Sequence, residues 1–254
     1  MSHVAVETRD RVLRIEIART DKKNALTQEM YRAMLEALAE ADADAQVRAI
    51  LIHGARDCFT AGNDLKDFLE RRPGGGPAES FKFISALPKV AKPLVAAVGG
   101  VAVGVGTTML LHCDLVYASP GARFQMPFVP LGLVPEAASS LLLPMIAGYQ
   151  RAAELLLLGQ PFGAEKALAA GFVTEIVPEA ELLERARGAA AAIAALPPAS
   201  VRLAKALMKR PLLEAVAAQM QEEGRVFAER LQSAEAKEAM TAFFEKRKPD
   251  FSRF

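Results

Sequence analysis

Residues 131–144 read LGLVPEAASSLLLP, and Glu136 is the sole charged group in that run. Desolvating a carboxylate is costly unless it is paired or neutralised, so a lone glutamate here stands either at a wet edge or at a site. At a site, such a group is a general base that takes up a proton and returns it. The plain alternative is a helix start, with Pro135 at the first helical position and Glu136 favouring the positive end of the helix dipole.

A base that removes a proton beside a carbonyl needs donors for the oxygen's growing charge, and two stretches offer them. After the apolar run 48–53 comes ARDCFTAGNDLKDF. There Gly62 permits a turn and Asn63-Asp64 can cap a helix DLKDFL, leaving the Asn63 amide free near the helix N-terminus. After the run 93–98 comes GGVAVGVGTTMLLHCDL, in which Gly104 and Gly106 flank Val105 and expose its amide where a helical pattern begins. Either stretch alone reads equally as a capped loop. Paired on neighbouring strand exits, the two amides suit an enolate or a tetrahedral oxygen, and such donors are commonly worth about 3 kcal/mol each in a barrier.

Other chemistries fit less well. A dinucleotide loop at Gly104-Val105-Gly106 fails because Met109 holds the third glycine position and no acid lies between Leu115 and Pro135. Ser139 and Ser140 lack a G-x-S-x-G setting and a histidine partner. Cys58 and Cys113 show no ligand-like spacing with His3, His53 or His112, so neither a metal site nor a disulfide is expected, and both read as core thiols in a reducing compartment.

The elements that must position these groups follow from pattern. Alternation over 3–8 and 11–18 around Arg9-Asp10 predicts a hairpin. Thr27 can cap an amphipathic helix reaching about Ala41. The runs 47–53 and 93–98 read as buried strands, with shorter ones at 115–118 and 122–125. Between the first two, ERRPGGGPAES at 70–80 reads as a flexible stretch. Beyond about Pro135, helical patterns occupy 149–158, 164–170, 178–196, 199–209 and 212–245. Strands alternating with helices, then helices alone, predict an α/β core with a C-terminal helical region of the kind used in assembly.

The 254 residues suit one large domain or a core with an appendage, and 52% hydrophobic residues can fill it. With 31 basic against 30 acidic residues, no global field draws the protein to nucleic acid or an anionic membrane. No run reaches the roughly 18 apolar residues of a membrane span, and the N-terminus lacks a signal pattern. The expected setting is soluble and cytoplasmic.

KKNAL at 22–26, FTAGNDLKDF at 59–68, KPLVAAVGGVAVGVGTTMLLHCDLVYAS at 92–119, LGLVPEAASSLLLP and GQPFGAEKALAAGFVTEIVP at 159–178 occur in order. Together they resemble the crotonase, or enoyl-CoA hydratase/isomerase, superfamily. The resemblance implies a spiral core of ββα repeats over 1–195 and a C-terminal helical trimerisation region over 196–254, giving a homotrimer or a dimer of trimers. It also implies an acyl-CoA thioester as substrate, no separate cofactor, and an oxyanion hole formed by the Asn63 and Val105 amides.

The positions of the two glutamates of family hydratases are matched by Thr108 and Phe128, which leaves hydration poorly served. LVPEAASS and the AGNDL turn instead resemble the peroxisomal-type Δ3,Δ2-enoyl-CoA isomerases, in which one glutamate moves a proton from C2 to C4 through a dienolate. Leu133 and Val134 should raise the Glu136 pKa, and a helix N-terminus would oppose that. Lys22, Lys23 and Lys246–Lys248 are the candidates for the coenzyme A phosphates, with Phe243 or Phe244 against the adenine. Ala25, Ala61, Asp64 and Leu65 line the ligand channel by family position. An enoyl-CoA hydratase or another crotonase-type reaction of a CoA ester, and a non-catalytic acyl-CoA-binding protein on the same scaffold, remain alternatives.

Overall fold

Alternation in the first residues produces a hairpin, β1 (Val4–Arg9) and β2 (Val12–Ile17), paired antiparallel from Val4↔Ile17 to Arg9↔Val12. Its two turn residues, Asp10 and Arg11, are both left-handed at φ 51° and 65°, as a two-residue turn matched to strand twist requires. The turn thus sits one residue later than Arg9-Asp10. The computed structural model describes residues 3–55, 58–64, 66 and 78–254.

From β2 the sheet continues in parallel through β3 (Ala49–Gly54), β4 (Leu94–Val98), β6 (Leu115–Ala118) and β9 (Glu175–Ile176), in the order β1-β2-β3-β4-β6-β9. Period-two geometry splits the apolar strands between two cores. Ile50, Ile52, Leu94, Ala96 and Val98 join the main core with Ile15, Phe59 and Phe124, while Leu51, Val95 and Ala97 face a second cluster. That cluster lies under α7 (Leu182–Ala195), whose Ala186, Ala189 and Ala190 carry little bulk towards the sheet.

A smaller sheet, β5 (Val101–Val103), β7 (Arg123–Gln125) and β8 (Phe162–Gly163), forms the other layer. The chain steps from large sheet to small twice in the same way, β4 to β5 and β6 to β7. The segment after β3 repeats the step through the bridges Thr60↔Ala102 and Leu26↔Asn63. This is the expected spiral α/β architecture.

Thr27 caps α1 (Gln28–Ala43), accepting from Met30 N at 3.3 Å. Further helices among the described residues are α2 (Glu79–Ala86), α3 (Val105–Thr108), α4 (Ser139–Ala147), α5 (Tyr149–Ala153), α6 (Ala164–Ala169), α8 (Pro198–Lys209), α9 (Leu213–Leu231) and α10 (Ala234–Phe244). Several expectations are corrected. The helix expected over 212–245 breaks at Gln232-Ser233, because the Ser233 hydroxyl accepts Ala236 N at 3.1 Å and starts a new helix. The pattern at 149–158 widens into a π-helix over Glu154–Leu158, closed by left-handed Gly159. β3 starts at Ala49 rather than 47, and α7 at Leu182 rather than 178.

Of the stretch 70–80, residues 70–77 lie outside the described residues, and Glu79 already begins α2, an element the pattern did not announce. The helix expected at DLKDFL also lies outside them, apart from Asp64 and Lys66. Both cysteines are half-buried rather than fully in the core, and Cys58 Sγ donates to Lys23 O at 3.1 Å. Among the described residues no single helix is long and apolar enough to cross a membrane.

Candidate active site

The Asn63 amide is freed by what its neighbours bond. Leu26 N donates to Gly62 O (2.8 Å) and Asp64 N to Leu26 O (2.9 Å), so this pairing uses the groups on either side of Asn63. Among the described residues, no acceptor takes the Asn63 N–H. Buried Asn24, left-handed at φ 55°, holds the two segments together by donating from Nδ2 to Cys58 O at 2.7 Å. Arg19 spans them as well, pairing with Asp64 at 2.6 Å and donating to Ala25 O at 3.0 Å. The Asn63 side chain is held in turn by the buried Tyr31, whose hydroxyl donates to Asn63 Oδ1 at 2.6 Å.

The Val105 amide is freed by a glycine. Gly104 adopts φ 57°, ψ −120°, a conformation that a side chain strongly disfavours, and its carbonyl accepts from Thr107 N and Thr108 N to start α3. As first residue of that helix, Val105 has no intrahelical acceptor for its N–H. The two turns are in direct contact. Thr60 N donates to Val101 O (2.9 Å) and Val103 N to Thr60 O (3.0 Å). A Cβ on Gly62, at φ +87°, would lie 2.6 Å from Val103 O, and one on Gly106 would lie 2.5 Å from Thr60 Cγ2. Gly106 therefore serves the approach of α3 to Thr60, a role different from unloading the Val105 amide.

Glu136 is not at a helix start. It precedes α4 in a turn closed by Ser139 N donating to Glu136 O (3.0 Å), so Pro135 is not a first helical residue. The Thr108 hydroxyl donates to Glu136 Oε1 at 2.5 Å. Thr108 lies three positions after Val105 on α3, a spacing that shares one helix face, so the carboxyl is tied to the element that bears the second amide. Burial pushes the Glu136 carboxyl up to about 7, the Thr108 hydrogen bond opposes this, and the negative charge of Glu223 adds to it. Desolvation thus decides the question that Leu133 and Val134 raised against a helix dipole.

Two partners of this turn were missed in the sequence. In sequence Thr108 reads as the loss of a carboxylate, whereas its hydroxyl is the donor to Glu136. Glu223 gave no signal at all, since it sits in a charged helical stretch. It is nevertheless buried, and it accepts from Ala138 N at 2.6 Å and Ser140 N at 3.0 Å, and from Ser140 Oγ. Phe128, at the other hydratase glutamate position, is buried in the main core.

The ligand-channel candidates fall into two groups. Lys23, Ala25, Ala61 and Asp64 are neighbours of Asn63, with Ala61 N donating to Lys23 O at 3.0 Å, and Lys22 and Lys23 are exposed. Phe243 and Lys246 lie at the end of α10, both exposed, with no hydrogen bond or ion pair to the 22–26 segment among the described residues. Within EKRK, Arg247 is committed to Glu238 at 2.6 Å. Leu65 lies outside the described residues.

The family model described as enoyl-CoA hydratase/isomerase matches residues 7–253. The chain is 36% identical over 246 residues to enoyl-CoA delta isomerase 2 of Rattus norvegicus, covering 94% of this chain but 63% of that protein, less than two thirds of its length. It is 31% identical over 250 residues to a probable enoyl-CoA hydratase of Mycobacterium tuberculosis, covering 98% of this chain and 97% of that one. Its fold matches the crystal structure of an enoyl-CoA hydratase/isomerase from Pseudoalteromonas atlantica with a TM-score of 0.94 and 46% identity, over 98% of this chain and 100% of that one. The names of these relatives divide between isomerase and hydratase. The chain is therefore an enzyme-fold member of, and belongs to, the enoyl-CoA hydratase/isomerase family.

Proposed function

We propose that the protein is a Δ3,Δ2-enoyl-CoA isomerase in which Glu136 is the single proton shuttle. In this reading the thioester carbonyl oxygen accepts from the Asn63 and Val105 amides. Glu136 takes a proton from C2, the electron pair moves into a dienolate, and the same carboxyl returns the proton at C4 as the double bond settles between C2 and C3. Nothing is gained or lost overall, so one base suffices. The observation that carries the reading is the setting of Glu136, a single carboxyl tied by the Thr108 hydroxyl to the helix that bears the Val105 amide; burial pushes that carboxyl up to about 7, which suits both uptake and return of a proton near neutrality.

Hydration asks for a second acid, and among the described residues the groups beside Glu136 do not supply one. Thr108 and Phe128 carry no carboxylate, and both Glu223 oxygens are taken up by the backbone and hydroxyl of Ala138 and Ser140. In the same proposal Lys23 meets a coenzyme A phosphate, Ala25, Ala61 and Asp64 border the ligand, and Phe243 and Lys246 close over its adenine end.

The test uses 3-hexenoyl-CoA for isomerisation and 2-hexenoyl-CoA for hydration. The wild type should favour the first reaction, and Glu136→Gln should keep affinity for the thioester while losing on the order of a hundredfold or more in kcat. Near-normal turnover by Glu136→Gln, or hydration as the faster wild-type reaction, would overturn the reading.

A further inference from the structure

The peptide unit that joins Ala137 to Ala138, directly after Glu136, is held on both of its polar atoms by buried side chains from distant elements. Its carbonyl oxygen accepts from His112 Nε2 at 2.8 Å, and its N–H donates to Glu223 Oε2 at 2.6 Å. Because a carbonyl can only accept, Nε2 of His112 carries the proton. Ala137 and Ala138 are both left-handed, at φ 61° and 54°, a conformation that an alanine side chain disfavours and that persists only where the surroundings impose it. Helix α4 also has no capping side chain of its own, since Ala138 occupies its N-cap. Glu223 fills that place from α9 by taking Ser140 N as well, and Gln219 steadies Ser140 Oγ at 2.8 Å.

We propose that Glu223 and His112 are positioning residues, a clamp on the Ala137–Ala138 peptide that aims the Glu136 carboxyl at the substrate. The proposal rests on the isomerase reading for what the carboxyl does, and on geometry for how it is held. The second route of influence is charge. Among the described residues the groups facing this turn are Thr108 from α3, His112 and Glu223 from α9, with Lys209 of α8 donating to His112 O at 2.9 Å. Burial holds His112 down to about 4, so it is neutral, and Glu223 is the one whose charge acts on Glu136.

The test follows kcat and KM for 3-hexenoyl-CoA across pH, together with the Glu136 titration midpoint read by NMR of carboxyl-labelled glutamate and assigned by its loss in Glu136→Gln. Glu223→Gln leaves one of the two N–H donors unpaired and removes the charge. It should lower kcat about tenfold or more with KM nearly unchanged, and move the Glu136 midpoint down by about half a pH unit or more. His112→Leu should lower kcat without that downward shift, and His112→Gln, which keeps an N–H donor, should restore it. This pair decides the matter if Glu223→Gln does not fold. Wild-type kcat and midpoint in Glu223→Gln, or His112→Gln no better than His112→Leu, overturns the clamp. A wild type that does not turn over 3-hexenoyl-CoA overturns the isomerase reading instead, and the NMR midpoint in Glu223→Gln then judges the clamp alone.

Discussion

Burial pushes the Glu136 carboxyl from the ordinary glutamate value of 4.5 up to about 7 in the folded protein, so between these values the folded state binds more protons than the unfolded chain. Stability present below the lower value is therefore lost as pH rises through the upper one. Replacing Glu136 by Gln keeps the acceptor for Thr108 and removes this loss. The variant should melt several degrees above the wild type at pH 8 and close to it at pH 5, from a gain on the order of 2–3 kcal/mol at the higher pH. Thermal melts at the two pH values check it, and equal melting points at pH 8 would speak against a desolvated, proton-holding carboxyl. Thr108→Val acts in the other direction. It removes a hydrogen bond that favours the ionised carboxylate, so the acid limb of the kcat profile should shift to higher pH and turnover at pH 7 should fall severalfold.

At the scale of elements, the site depends on two turns that touch. Gly62 combines a left-handed backbone with contact to the facing turn, whereas a Cβ on Gly104 would meet nothing within 4 Å. Gly104→Ala should therefore cost about 1–3 kcal/mol from backbone conformation alone, and Gly62→Ala distinctly more because Val103 must also move. Urea unfolding of both variants measures the difference. Equal costs would show that the approach of the turns does not require glycine at position 62. Both variants displace an amide donor, so both should lose turnover with 3-hexenoyl-CoA.

At the scale of the whole molecule, apolar side chains remain on the outside in groups. Met145, Ile146, Tyr149, Leu157 and Leu158 are exposed along 145–158, as are Leu203, Leu207 and Met208 on α8, where Met208 is 71% accessible. Scattered exposed residues are ordinary, but groups on consecutive turns of a helix are the mark of a covered face. We propose that further copies of this chain cover them in an oligomer, most simply a trimer. Light scattering at micromolar concentration should give a multiple of the 27.2 kDa chain, and Leu203→Lys with Leu207→Lys should reduce its size. A stable monomer in the wild type would contradict the proposal.

What the sequence by itself determined about this protein is local backbone chemistry and pattern. A hairpin from alternation, a capped α1 from Thr27, a free Val105 amide from the adjoining Gly104, and an isolated acid at Glu136 all depend on residues a few positions apart, where turn and cap preferences act, whereas the Asn63 amide is left free by pairing with distant Leu26. The tertiary structure alone decided how those pieces meet. Thr108 reaches Glu136 across 28 positions, and Glu223 reaches Ala138 across 85. A glutamate in a charged helical stretch looks the same in sequence whether it faces water or caps a distant turn. Only packing takes Glu223 out of water, gives its oxygens to backbone donors, and holds two alanines in a conformation that their own preferences oppose.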